Sequence, residues 1–181
     1  MATAIINAIR TVSGNQPAYR RIGEKAGNTF KSGTPVMIDA GTGYIKAWDG
    51  ATLTNGIAGV TPEFGANLAV NAVAQQVTQG GVPNQSAAVN LQRPYFNNGA
   101  IGFYVANQDS VFYGQVGPAQ TTAATDVGVS YGMTIDSDGH WFVDKTKTSG
   151  NAVVKVVNLD PSDTVRGVHF VFLVGAEQLT A

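Results

Sequence analysis

From residue 127 to 135, Val127, Val129, Tyr131, Met133 and Ile135 alternate with Gly128, Ser130, Gly132 and Thr134. A period of two puts the two sets on opposite faces of a β-strand, one set to pack and the other small and polar. Asp138-Gly139 follows, and a glycine free to take positive φ predicts a tight hairpin into a second strand over 140–144. After a turn at Ser149-Gly150-Asn151 come a strand over 152–158, a breaker at Asp160-Pro161 and a last strand over 165–174. In that last strand Val168, Phe170, Phe172 and Val174 alternate with His169, Val171 and Leu173. Apolar residues on both sides predict a strand buried on both faces.

Earlier in the chain, short strands are expected over 35–39, 44–48 and 57–61, separated by Gly41-Thr42-Gly43, Asp49-Gly50 and Asn55-Gly56. Turns at intervals of about ten residues suggest a barrel or a sandwich. Residues 100–106 and 111–116 predict a further pair of strands turning around Asn107-Gln108-Asp109. Val occurs 22 times and Leu 6 times, a balance that favours extended backbone because β-branched side chains lose freedom in a helix. The chain therefore reads as all-β, a mainly antiparallel barrel or sandwich, with one domain over 31–181. Residues 1–30 scatter Ile5, Ile6, Ile9, Val12, Tyr19 and Ile22 with no sustained period, which predicts an extended N-terminal arm. Over 67–79 Ala and Gln favour a short helix while Asn71 and Val73 favour a loop, and Gly80-Gly81-Val82-Pro83-Asn84 ends either one.

Charge changes the picture. From residue 64 to 125 only Arg93 and Asp109 are charged, and the whole chain is 13% charged against about a quarter in ordinary globular proteins. Such a surface is expected to be covered by other protein, with 64–98 as a low-charge excursion from the domain. A net charge of −1 and a pI near 6.0 give no basic excess for nucleic acid or an anionic membrane. No apolar run is long enough to cross a membrane or resemble a secretory signal, so synthesis in the cytoplasm and no membrane partner are expected. Within residues 1–31, Arg10, Arg20, Arg21, Lys25 and Lys31 face only Glu24, a basic arm on an acidic body. Ordering that arm costs about 1–2 kcal/mol of backbone entropy per residue. Burial of Ile5, Ile6, Ile9 and Tyr19 on a partner, or strand addition to a neighbouring sheet edge, would offset it.

Candidate chemistry is sparse. Asp136, Asp138, His140 and Asp144 resemble half of a calcium loop, but further ligands and a closing Glu are missing, and turn geometry accounts for Asp138-Gly139. The three Glu residues, at 24, 63 and 177, offer no carboxylate pair for glycoside hydrolysis. His140 and His169 fall on different expected strands. There is no cysteine and no phosphate-binding glycine loop. Tyr44, Trp48 and Trp141 suit either sugar stacking or cross-strand core pairs. No catalytic residue, metal or cofactor is expected.

Gly33-Thr34-Pro35-Val36 leading into a strand, then Asn55-Gly56-Ile57-Ala58-Gly59-Val60 and Pro62-Glu63, resemble the opening of capsid decoration (cement) proteins of tailed bacteriophages. Residues 129–135 through Trp141-Phe142-Val143-Asp144 to Val168-His169-Phe170 are similar to phage structural β domains. The resemblance implies a non-enzymatic virion protein on the capsid exterior, a homo-oligomer, often a trimer, that stabilises the shell by clamping neighbouring major capsid protein subunits. On that reading Ile5, Ile6, Ile9, Tyr19, Arg20 and Arg21 of the arm are the expected capsid contacts. The alternative is a carbohydrate-binding or host-surface adhesion module using Tyr44, Trp48 or Trp141; a third is a subunit of the capsid or tail itself.

Overall fold

The structure is a computed structural model that describes residues 8–12, 17–25, 29–50, 56–63, 65–66 and 100–179. Their strands are β1 (Arg10–Thr11), β2 (Tyr19–Gly23), β3 (Thr29–Phe30), β4 (Thr34–Ile38), β5 (Ile45–Ala47), β6 (Gly59–Thr61), β7 (Gly65–Ala66), β8 (Ala100–Val105), β9 (Phe112–Gln115), β10 (Ser130–Ile135), β11 (Trp141–Asp144), β12 (Val154–Leu159) and β13 (Gly167–Phe172). A five-stranded sheet runs β2-β8-β6-β4-β5 and a six-stranded sheet β1-β9-β13-β12-β10-β11, while β3 pairs with β7 alone. Every ladder is antiparallel. The fold is thus all-β, as its alternation and its valines predict.

Alternation along these strands builds two cores. Phe112, Tyr131, Met133, Val143, Val154, Val156, Val168, Phe170 and Phe172 of the six-stranded sheet meet Met37, Trp48 and Val60 of the other in one cluster. The opposite face of the five-stranded sheet carries a second cluster of Val36, Ile45, Ala58, Ile101, Phe103 and Val105. The five-stranded sheet curls until Glu24, just after β2, bridges Ile45 of β5, its two outer strands meeting at one pair; in the six-stranded sheet Val116, just after β9, bridges Val143 of β11 in the same way. One bridge is not a ladder, so neither sheet closes into a barrel, and the arrangement is a sandwich.

The pair expected around Asn107-Gln108-Asp109 does not form. β8 pairs with β2 and β6, whereas β9 pairs with β13 and β1. Ile101, Phe103 and Val105 fill one core and Phe112 and Val116 the other, so the turn carries the chain from sheet to sheet. Asn107 shapes that crossing, its Oδ1 accepting the Asp109 N–H at 3.1 Å. The strand expected over 127–135 begins only at Ser130, because Val129 N–H closes a turn onto Asp126 O and Val127 is left 45% exposed. In β13, Val168, Phe170 and Phe172 are fully buried while His169 and Val171 are half-buried. That strand has one buried face, not two.

The described part of the N-terminal arm is extended and lies in the body as outer strands, β1 on one sheet and β2 on the other. Ile9, 3% exposed, belongs to the main core. Gly33 permits that docking, since a Cβ there would sit 2.5 Å from Ile9 N, and its φ of +81° suits glycine. Ile5 and Ile6 lie outside the described residues, as do 67–79, read as a short helix or a loop, and the excursion beyond residue 66. At the other end, Ile57 bridges to Glu177 and Leu179 packs on the second core.

Candidate interaction surface

Between β9 and β10 the chain exposes Pro118, Ala119, Thr121, Ala123, Ala124, Thr125 and Val127 in succession with no charged side chain among them. Thr122 N–H donates to Val165 O at 2.9 Å, and Gly128 N–H to Val156 O at 2.8 Å. These bonds draw Val165, 57% exposed, and Val157, 39% exposed, to the same loop. The result is a neutral, weakly apolar surface that joins the loop to residues 157 and 165, about thirty to forty residues further along the chain. Its members were not legible as a site beforehand, because Val157 and Val165 come from another part of the chain. The low charge of 117–125 was the available signal.

A buried ion and hydrogen-bond network holds the loop rigid from beneath. Asp126 Oδ2 accepts from Lys145 Nζ at 2.8 Å and from Ala123 N–H at 2.7 Å, and its Oδ1 accepts the Tyr131 hydroxyl at 2.7 Å. Lys145 Nζ also donates to Thr121 O at 2.9 Å. Burial pushes the Asp126 carboxyl up, but Lys145, Tyr131 and Ala123 outweigh it and hold the group below its ordinary value. The same anion and burial push the Tyr131 phenol up to about 12. Gln120 ties the loop to β11, donating to Asp144 Oδ1 at 3.1 Å and accepting from Lys145 N–H.

The acidic cluster picked out in the sequence serves its own turns. Asp136 Oδ1 accepts the N–H groups of Asp138 and His140 in the hairpin that Gly139 allows, at φ +84°. Asp144 accepts from Thr134, Thr146 and Gln120; burial raises it, yet these bonds win and it stays low. Asp160 is held low first by the Ser162 hydroxyl and N–H, and its other oxygen lies 3.6 Å from His169 Nε2. Among the described residues no three His, Asp or Glu side chains converge as metal ligands do.

Of the arm residues, Tyr19 and Arg21 share one face of β2 and both reach Glu63 Oε1, each at 2.8 Å. Arg21 also donates to Ala100 O. Tyr19 lies across Gly102 of β8, where a Cβ would stand 1.7 Å from its hydroxyl oxygen. Partial burial and the Glu63 anion push its phenol up to about 12. Arg20, on the other face, is exposed. Ile9 is spent in this chain's own core.

Trp48 and Trp141 come from different sheets and meet with ring centroids 5.1 Å apart. At 3% and 6% exposure their faces are used on each other, which leaves Tyr44, 42% exposed, as the one open ring of the three aromatics suited to sugar stacking. A cleft of about 370 Å³ opens beside the pair, lined also by Thr29, Lys31, Thr34, Ala47, Ile135 and Gly139. No protein-family profile, curated protein or solved structure matches the chain.

Proposed function

We propose that this chain is a non-enzymatic structural protein of a tailed phage, a decoration protein that binds the outside of the assembled capsid and bridges major capsid protein subunits as a homo-oligomer. The observation that carries the reading is the rigid neutral surface of residues 117–128 with Val157 and Val165. An uncharged patch loses little desolvation energy when covered, and its pinned backbone loses little conformational entropy on docking. The buried carboxylates Asp126, Asp144 and Asp160 hold loops in place, which suits a scaffold. A protein that binds only the assembled shell stabilises that state by mass action, and bridging two subunits adds avidity.

Part of the charge scarcity has an internal explanation, since residues 101–116 fill the two cores. The argument for coverage therefore rests on the exposed residues among 118–127. The test is occupancy of expanded shells that lack the chain. Wild-type protein saturates them and raises the temperature at which they rupture. Val127→Asp and Val165→Asp abolish occupancy while leaving thermal unfolding of the free chain unchanged. Absence of binding to shells, or binding indifferent to both substitutions, rejects the proposal. The arm is tested separately by deleting residues 2–7. Deleting 2–22 would also remove β1, most of β2 and Ile9 from the core.

A further inference from the structure

We infer that the pocket between Arg10, Asp160 and His169, on the outer face of the six-stranded sheet, binds a neutral hydroxylated ligand, a single pyranose of a carbohydrate, through two adjacent hydroxyl groups. The inference goes beyond the capsid reading and does not depend on it.

Strand register places the side chains. Arg10 of β1 stands opposite Tyr113 of β9, and Tyr113 opposite His169 of β13. Their strand neighbours Phe112 and Phe170 enter the core, so this row faces outward, as alternation requires. Asp160 opens the turn from β12 to β13, its N–H donating to Gly167 O at 3.1 Å. Thr11 and Val12 complete a pocket of about 260 Å³.

Two groups of the pocket have hydrogen-bonding capacity left over. Asp160 is only 6% exposed, and its Oδ1 accepts the Ser162 N–H and hydroxyl, each at 2.7 Å. Its Oδ2 lies 3.6 Å from His169 Nε2, beyond hydrogen-bond reach. The Ser162 bonds hold this carboxyl low, with His169 and Arg10 adding to them, so it is an anion at neutral pH. Arg10 sets its guanidinium 4.6 Å from the centre of the Tyr113 ring, and its N–H groups make no hydrogen bond among the described residues.

These charges exclude most ligands. A phosphate or carboxylate would meet the Asp160 anion, and an ammonium would meet Arg10. A neutral ligand suits both when it offers a donor to Asp160 and an acceptor to Arg10 side by side. A hydroxyl serves as either, and adjacent hydroxyls of a pyranose do both at once. Arg10 already covers the Tyr113 ring, so the sugar is held by hydrogen bonds and not by stacking.

The test titrates the full chain with methyl glucoside, methyl galactoside and methyl mannoside, with acetamide and inorganic phosphate as controls, and follows backbone amide shifts. At least one pyranoside gives saturable shifts at residues 10–12, 113 and 158–169, and binds more tightly than either control. Arg10→Gln and Asp160→Asn each weaken it about tenfold, the scale of a hydrogen bond to a charged group. Tyr44→Ala leaves binding unchanged, which separates the pocket from stacking on that open ring. Asp160→Asn keeps an oxygen for Ser162; should it unfold nonetheless, Arg10→Gln, at an exposed position, decides alone. The inference is overturned if no pyranoside saturates, if the shifts centre elsewhere, or if acetamide or phosphate binds as tightly. Binding that ignores Arg10→Gln, or is lost in Tyr44→Ala, overturns it equally.

Discussion

The side-chain amide of Gln178 meets the backbone of Ile38 as a neighbouring strand would, its Oε1 accepting the Ile38 N–H at 2.5 Å and its Nε2 donating to the Ile38 C=O at 2.7 Å. One side chain thereby satisfies both main-chain groups that β4 turns toward the C-terminal segment, and the backbone of Gln178 is itself bonded to Ile57 O. Gln178→Glu places an acceptor against the Ile38 carbonyl and destabilises the fold by about 1–3 kcal/mol, the cost of an unsatisfied polar group. Urea unfolding measures it, and an unchanged midpoint at neutral pH would show the clasp to be idle.

Glu177, beside that clasp, has the opposite character. Burial and the nearby Asp109 carboxylate push its carboxyl above the ordinary 4.5, and its Oε1 is buried without a partner. A raised carboxyl pKa means that ionisation costs more in the folded chain than in the unfolded one. The penalty is therefore present at neutral pH and disappears as pH falls through the folded and then the unfolded value. Glu177→Gln should raise the melting temperature at pH 7, with the gain vanishing in acid. A gain that grows as pH falls would contradict the assignment.

Asp126 runs the other way, because its carboxyl is held below 3.8. Its contribution is complete above the unfolded value and is lost as pH falls through the folded one. Asp144, Asp160 and Asp163 are lowered too, so stability should fall on the acid side below about pH 4. Asp126→Asn leaves Lys145 without its anion and costs about 2–4 kcal/mol. It also frees the backbone of 121–127, which faster amide exchange in that loop would report. Protection equal to wild type would mean the loop is held by other means.

Gly33→Ala tests the docking of β1. The new Cβ meets Ile9 N at 2.5 Å, where the obstacle is backbone, and φ is +81°. Strain and clash together should cost about 3 kcal/mol or more and detach residues 8–12 from β9. Limited proteolysis would then cut near Arg10. A variant as stable and as resistant as wild type would show that residues 8–12 contribute nothing to the body.

Much of the fold was legible because alternation and turn chemistry are local. The period of two over 130–135, the Asp138-Gly139 hairpin and the Gly41-Thr42-Gly43 turn before β5 all fix backbone direction within a few residues. Which core a strand enters is not local. Residues 100–106 and 111–116 read as a hairpin since both are apolar and a turn lies between them. They part because one set of side chains fits each core.

The site divides in the same way. Sequence alone determined a β protein with few charges and a basic beginning, since those properties follow from composition and short-range pattern. Tertiary structure decided that Ile9 is buried within the chain, that Val157 and Val165 join the 117–128 loop, and that Trp48 faces Trp141 across two sheets. Each of those results depends on the curl and packing of sheets, which bring together residues whose separation along the chain carries no trace of their contact.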